Sequence, residues 1–512
     1  MCGISGFISR QWPEQDLRAM SNCIRHRGPD AEGIYYNSRD GVGLAHRRLS
    51  ILDLSSAANQ PFYSSDGRYV MVYNGEVYNY REIAAEYGLT TRTSSDTEVI
   101  IEMFARQGIA AIRQLNGMFA IAIYDIKEQQ LFLFRDRVGI KPLYYFFDGQ
   151  NFAFASELKS LFSLPVTKEV DTTSVSNYLY LGYIPGRNTI YKHFNKLLPG
   201  SYAIIKDKQV SEHSYWKLED AITPSVITNE ADAFAQLKEL VISSVRYCMI
   251  SDVPLGVFLS GGVDSSLVAA VAQELSDKPV KTFSIGFNES KYNESGYARQ
   301  VASHIGSSHH EFIVKENDAI EIVEKLTGIY DEPYADSSAI PTYLVSQLAR
   351  KEVTVALSGD GGDELFMGYG FYYWAKRLNN PLIKAFRHPI GQLLRASGDN
   401  RKKRAAYMFG YPSAARRKSH IFSQEQYYFT EKEIHELLKS PRPVLFDEEL
   451  DDHPRKLSVI EEQSFFDIKN YLPEELLVKT DRASMQHALE IRVPLLDHRI
   501  VEFSASLSQD LK

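Results

Sequence analysis

The sequence predicts two domains of different class: an α+β domain of layered antiparallel sheets with helices, then an α/β domain with a doubly wound parallel sheet. Two observations carry this. Residues 1–160 are dense in short runs rich in Val, Ile, Phe and Tyr, bounded by turns such as Asp66-Gly67 and Asp148-Gly149. Beyond residue 235 the period changes, and apolar runs alternate with helical patterns, as buried parallel strands and their crossovers require.

At roughly 100–200 residues per domain, the 512 residues leave room for both. In the first domain, strands are expected at 4–9, 68–73, 118–124, 130–134, 144–147 and 152–155. Helical patterns are expected at 14–24 and 96–107, the latter with Val99, Ile100 and Met103 on one face. Residues 161–235 read as a mixed connector, with a helix at 172–181 and a turn at Leu198-Pro199-Gly200. The second domain, 236–512, offers strands at 256–259, 282–287 and 353–357, with helices at 231–249, 264–275, 294–305 and 342–349. Ligands of such sheets sit at the carboxyl ends of the strands. The stretch 370–460 reads as helical and locally basic (Arg401-Lys402-Lys403-Arg404 and Arg416-Arg417-Lys418), a pattern expected of a solvated face.

Charge and cysteine content narrow the function classes. The 57 Lys and Arg against 65 Asp and Glu give a net charge of −8, which argues against a nucleic-acid partner. Cys2, Cys23 and Cys248 cannot build a disulfide framework and fit a reducing compartment. The N-terminus has neither a basic nor an apolar segment of the signal-peptide kind. The longest apolar runs fall well short of the ~18 residues a membrane span needs. The expectation is a cytoplasmic enzyme with no membrane partner.

Met1 precedes a small residue, so its removal leaves Cys2 first in the chain. A terminal cysteine carries both a thiol and an α-amine of pKa about 7.7–8.0, and that amine can act as the thiol's base. Four further segments follow in order: Arg25-His26-Arg27-Gly28-Pro29-Asp30, His46-Arg47-Arg48-Leu49-Ser50-Ile51, Tyr73-Asn74-Gly75-Glu76 and Ser94-Ser95-Asp96-Thr97-Glu98. Singly, Asn74-Gly75 is an ordinary turn and Arg48 a surface charge. As an ordered set, they make residues 1–160 resemble the class II glutamine amidotransferases, N-terminal-nucleophile hydrolases that begin with Cys. The resemblance implies Cys2 as nucleophile and Asn74 with the Gly75 amide as oxyanion hole. It implies Arg48 on the glutamine α-carboxylate, whose planar fork suits that anion, and Asp96 and Glu76 at the amino end. His46 and Arg47 are left as structural.

The second chemical segment is Ser260-Gly261-Gly262-Val263-Asp264-Ser265-Ser266, between an apolar strand and a helix. Such a turn aims backbone amides and a helix N-terminus at an anion. It lacks the Gly-Lys-Ser/Thr ending of a Walker A loop. The string resembles the PP-motif of ATP pyrophosphatases. That resemblance implies Ser260, Gly261, Gly262, Ser265 and Ser266 around the β,γ-phosphates, Leu259 and Ile285 at adenine, and Asp264 on Mg²⁺. A second glycine-rich acidic loop, Ser358-Gly359-Asp360-Gly361-Gly362-Asp363-Glu364, places Ser358 and Gly359 near ribose and α-phosphate and makes Asp363 the second Mg²⁺ ligand. Lys479 and Arg482, three residues apart and so on one helix face, offer a cation to the departing pyrophosphate. Which of the two reaches it stays open.

Together the halves resemble the glutamine-hydrolysing asparagine synthetase family. The resemblance implies ATP- and Mg²⁺-dependent amidation of a carboxylate through an acyl-adenylate, with glutamine as nitrogen donor. It implies small-molecule partners and, as in many family members, a homodimer. L-aspartate is the expected acceptor, with a uronic acid sugar as the alternative. The segment 330–341 is expected to line the acceptor pocket, and it carries Ser337 where some aspartate-specific relatives have Arg. Relatives commonly continue beyond the point where this sequence stops, so the acceptor side is expected to be built differently or to lie partly outside it. A tRNA-modifying ATP pyrophosphatase would carry a basic surface and extra catalytic cysteines, and a degenerate scaffold would be damaged at Cys2, Asp264 or Asp363. The sequence shows neither.

Overall fold

The structure is a computed structural model that describes residues 2–287, 293–438, 446 and 450–512. The first domain stacks two six-stranded antiparallel sheets. One runs in the order Phe194–Lys196, Tyr144–Phe147, Phe152–Ala155, Gly3–Ile8, Val42–Arg48, Ala31–Asn37. The other runs Gln209–Ser214, Ser201–Lys206, Gln130–Arg135, Gly117–Asp125, Tyr69–Val77, Phe62–Tyr63.

The period of two explains the layering. In Tyr69–Val77, Val70 and Val72 face the other sheet, where they join Ile4, Leu44 and Phe154 in one apolar cluster. Tyr69, Met71 and Tyr73 face outward onto the helix Asp96–Gln107, meeting Ile100, Met103 and Phe104. The uninterrupted apolar run Met118–Tyr124 follows from the same cause: this strand is buried on both faces. On the far side of the first sheet, Phe7 packs with Leu17 and Met20 of the helix Glu14–Cys23. The result is four layers, helix–sheet–sheet–helix.

The segment 161–235, expected as a connector, contributes three strands to these sheets. Its helix forms as expected at Thr172–Leu181, capped by Asp171 and closed by Gly182 in the left-handed conformation (φ 82°). The strands escape sequence reading for physical reasons. Phe194–Lys196 has three residues, and Gln209–Ser214 is a polar edge strand. Its hairpin turns at Asp207-Lys208, where both residues take positive φ without the usual glycine.

The second domain holds a five-stranded, all-parallel sheet in the order Ser308–Val314, Lys281–Phe287, Leu255–Phe258, Val355–Leu357, Glu490–Arg492. Leu255–Phe258 is central, and strand order reverses between it and Val355–Leu357. Their carboxyl ends open at this switch point, where α/β sheets bind ligands. The two basic runs lie on the helix Asn400–Met408 and at the start of Arg417–Glu425; Arg401, Lys402 and Lys403 are exposed as expected, whereas Arg417 is buried, contrary to a solvated face. Among the described residues, no helix is long and apolar enough to cross a membrane.

One long helical rod, Val459–Met485, is foreseen by the sequence only where Lys479 and Arg482 are placed on one helix face. It is α-helical over Val459–Phe466, π-helical over Asp467–Leu476 with Pro473 inside, and α-helical again over Leu477–Met485. Such π segments arise where side chains must be re-aimed, often at functional sites. Its last turns pack against the first domain, where Leu49 and Ile51 meet Val355, Met485 and Ala488.

Phe154→Ala tests the inter-sheet core. Removing this fully buried ring should cost about 3–5 kcal/mol, and the midpoint for thermal loss of glutaminase activity should fall by several degrees.

Candidate active site

The first strand delivers Cys2 to a pocket lined by Arg48, Gly75, Glu76, Asp96 and, from the second domain, Glu490. The Cys2 N–H donates to Asn74 Oδ1 at 2.9 Å, and the thiol lies 3.9 Å from the Leu49 carbonyl. Burial pushes the Cys2 thiol pKa up, so in this enclosed state the thiol needs a base to become a nucleophile.

The strand Tyr69–Val77 builds an anion hole beside it. Phe119, opposite Gly75, exchanges its backbone groups with Asp136: its N–H donates to Asp136 Oδ2 at 3.2 Å and its carbonyl accepts from the Asp136 N–H at 2.9 Å. Gly75 is therefore in a non-hydrogen-bonded pair, and its N–H points out of that ladder. The N–H groups on either side of it along the same edge are taken, Tyr73 by Gln60 Oε1 (2.6 Å) and Val77 by Asp96 Oδ2 (2.9 Å). Asn74 Nδ2 is buried and has no partner among the described residues, a costly state that a ligand oxygen relieves. A side chain at Gly75 would collide with the Met118 carbonyl, so only glycine fits.

The remaining predicted residues converge on the same pocket. Asp96 Oδ2 also accepts from Tyr73 Oη at 2.8 Å, and burial raises its carboxyl pKa. Arg48 spends Nη1 on the Ser55 carbonyl (2.7 Å) and Asn59 Oδ1 (2.6 Å), and Nη2 on the Leu52 and Asp53 carbonyls. The loop 52–59 thus fixes its fork at the pocket wall. Glu76 reaches across the domain boundary, with Oε2 3.2 Å from Arg492 and Oε1 without a hydrogen-bond partner. His46 bonds the Tyr73 carbonyl at 3.1 Å, and Arg47 bonds Ser21 and Asn22, both structural roles.

The second cluster stands at the switch point of the parallel sheet. Ser260 and Ser265 hydroxyls lie 2.9 Å apart, and the Gly262 N–H donates to Ser260 Oγ at 3.2 Å. Gly261 takes φ 88°, a conformation glycine alone adopts freely. The helix Val263–Glu274 starts at Gly262 with no side-chain cap, leaving its first N–H groups for an anion. Ser266 Oγ is buried without a partner. Leu259 is anchored by its N–H to the Phe283 carbonyl (2.8 Å), beside the strand that carries Ile285.

The two glycine-rich loops touch. A Cβ on Gly359 would fall 2.6 Å from the Ser265 nitrogen, and one on Gly362 would strike the Asp264 carboxylate. Burial, with Asp363 and Asp360 nearby, pushes the Asp264 carboxyl up to about 6, and burial raises Asp363. Crowded carboxylates of this kind fit a divalent cation. Among the described residues no group of three or more His, Cys, Asp or Glu side chains forms a metal cage, so phosphate oxygens would complete the shell, as Mg²⁺ prefers.

Lys479 and Arg482 part company. Lys479 Nζ lies 2.9 Å from Ser338 Oγ and 3.3 Å from Asp336. Burial works against its charge, but Asp336 and Asp360 more than offset this and hold its pKa above the ordinary lysine value. Arg482 is instead at the domain boundary, 2.9 Å from Glu157 and 5.3 Å from the Tyr144 ring. The helix lies between the domains, so neighbouring residues on one face reach opposite ways. The segment 330–341 also divides. Asp331 bonds the Lys159 N–H (3.1 Å) and Glu332 bonds the Ile190 N–H (3.0 Å), while Asp336 and Ser338 face Lys479.

Sequence reading missed Gln60 and Glu490, which join a site through long-range packing alone. It includes Asp336 within the segment 330–341 and Asp360 within the second glycine-rich loop, but gives neither a role of its own.

Fold and sites together define a class: a glutaminase domain joined in one chain to an ATP-using ligase domain. A glutamine amidotransferase domain model matches residues 1–216, and an asparagine synthase model matches residues 236–512. The putative asparagine synthetase [glutamine-hydrolyzing] 2 of Methanocaldococcus jannaschii is 41% identical over 393 residues, 72% of this chain and 76% of that protein. Asparagine synthetase [glutamine-hydrolyzing] 1 of Bacillus subtilis is 34% identical over 541 aligned positions, 100% of this chain and 82% of that protein. The amidase chry2 of Gibberella zeae is 30% identical over 402 residues, 72% of this chain and 59% of that protein. The chain belongs to the glutamine-hydrolysing asparagine synthetase family, and it is a ligase that uses ATP as co-substrate and glutamine as nitrogen donor.

Two substitutions separate the half-sites. Asn74→Ala should lower glutaminase kcat by about 10²–10³-fold and leave ammonia-dependent AMP formation intact. Gly359→Ala should force the two loops apart, depressing ATP-dependent AMP formation while steady-state glutamine hydrolysis persists.

Proposed function

We propose that the protein converts L-aspartate, L-glutamine, ATP and water to L-asparagine, L-glutamate, AMP and diphosphate. The observation that carries the acceptor assignment is the pairing of Lys479 with Asp336 and Ser338 beside the Ser358–Asp363 loop. A cation next to a carboxylate suits a zwitterion, with Asp336 taking the ammonium group of an amino acid. Glu475 adds a buried carboxylate with Oε2 unpartnered, raised far above the ordinary range by burial. A uronic acid has no ammonium to satisfy this acidic wall, so it is the weaker reading.

In the first site, the α-amine of Cys2, free once Met1 is removed, takes the thiol proton as sulfur attacks the glutamine amide carbon. The developing oxyanion is held by the Gly75 N–H and Asn74 Nδ2. The protonated amine returns its proton to the departing ammonia, and water then releases glutamate from the thioester. Arg48, its Nη groups held by the loop 52–59, lends its charge to the carboxylate end of glutamine, and Asp96, with Glu76, takes the ammonium end. In the second site, the Ser260–Ser266 turn binds the β,γ-phosphates, the Leu259 and Ile285 backbones hold adenine, and Ser358 and Gly359 face the α-phosphate. Mg²⁺ bound by Asp264 and Asp363 would supply charge neutralisation at the triphosphate. The acceptor carboxylate attacks the α-phosphorus and expels diphosphate, whose charge Lys479 balances. Ammonia moving between the domains attacks the acyl-adenylate, forming the amide and releasing AMP.

Product analysis tests this. Glutamine, Mg-ATP and L-aspartate should yield AMP and asparagine in equal amounts, and Cys2→Ala should lose the glutamine-dependent reaction but keep the ammonia-dependent one. Glutamate release with no aspartate-dependent AMP would sink aspartate as the acceptor and favour a uronic acid.

A further inference from the structure

The glutaminase nucleophile is held from the wrong domain. Arg27, fully buried, donates from Nε to the Cys2 carbonyl at 3.0 Å. Its other nitrogens reach two carboxylates: Nη1 to Glu157 (2.7 Å) and to Asp481 Oδ2 (2.7 Å), and Nη2 to Asp481 Oδ1 (2.9 Å). The bidentate partner, Asp481, stands on Leu477–Met485 of the synthetase domain. Planar fork-to-carboxylate pairing fixes a guanidinium in orientation as well as place. Gly28 makes the placement rigid, because any side chain there would collide with the Arg47 carbonyl. Glu490 of the same domain lines the pocket of Cys2.

We infer that Asp481 is a positioning residue for the glutaminase half-reaction: it orients Arg27, which holds the Cys2 carbonyl and thereby the nucleophile against Asn74 and Gly75. The glutaminase site is then complete only when the synthetase domain is docked, and glutamine is hydrolysed efficiently only where its ammonia has a destination. Asp481 touches neither substrate, so its loss should act on turnover rather than on glutamine affinity. The inference rests on the reading of Cys2 as nucleophile.

Asp481→Asn keeps the shape, removes the charge and leaves one acceptor for Arg27. In the full-length protein, steady-state glutaminase kcat should fall between about ten- and about a hundred-fold, the scale of a misplaced reacting group. KM for glutamine should stay within about threefold, and ammonia-dependent AMP formation should remain near the parent rate. Unchanged glutaminase kcat would overturn the inference. So would an equal loss of glutaminase and ammonia-dependent activity, which marks a purely structural role, or a rise in KM without a change in kcat. Cys2→Ala run in parallel separates the inference from its premise: glutamine hydrolysis surviving in that variant would overturn both.

Discussion

The architecture depends on one buried cation. Arg27 joins the Cys2 carbonyl, Glu157 just beyond the strand Phe152–Ala155, and the synthetase helix at Asp481. Glu157 of the same domain compensates part of this buried charge, and docking of the second domain adds Asp481 in a fixed bidentate geometry. Glu157 is itself shared by His26, Arg27, Lys159 and Arg482. A hydrophobic seam of equal area would tolerate sliding; a charge cluster with fixed geometry does not. Here the ionic contacts contribute orientation more than net stability, since desolvation offsets much of the Coulomb attraction.

The second junction works by the same logic at shorter range. Arg492 is wholly buried between Glu490 and Glu76 and donates to the Cys248 and Ile250 carbonyls (2.9 and 2.6 Å). Its two carboxylate neighbours raise its pKa beyond that of a free guanidinium despite burial, so it stays charged. The edge strand Glu490–Arg492 thus closes the parallel sheet with its backbone and lines the Cys2 pocket with the Glu490 side chain. The edge of one domain is the wall of the other's site.

The nucleotide site relies on absence of side chains rather than on charge pairing. Gly261 and Gly262 leave amides uncovered at a helix start, and Gly359 and Gly362 let the second loop approach within contact of Asp264 and Ser265. The cost is local: burial, with Asp363 and Asp360 nearby, raises Asp264. Lys479, which Asp336 and Asp360 keep charged, reaches Ser338 and Asp336.

Read alone, the sequence determined what depends on neighbours along the chain. The class of each domain followed from periods of two and of alternating strand and helix; the Ser260–Ser266 turn, the Ser358–Asp363 loop and Asn74-Gly75 stood out because each is a contiguous run of glycine and polar residues. Tertiary structure decided what depends on residues far apart. It alone drew the strands of 194–214 into the first domain's sheets: Phe194–Lys196 and Gln209–Ser214 are edge strands too short or too polar to announce themselves, and the partner of Ser201–Lys206, Gln130–Arg135, lies far earlier in the chain. It alone turned Lys479 toward the acceptor segment and Arg482 toward Glu157, because a helix wedged between two domains has two insides, and spacing along one chain cannot say which partner each side chain will meet.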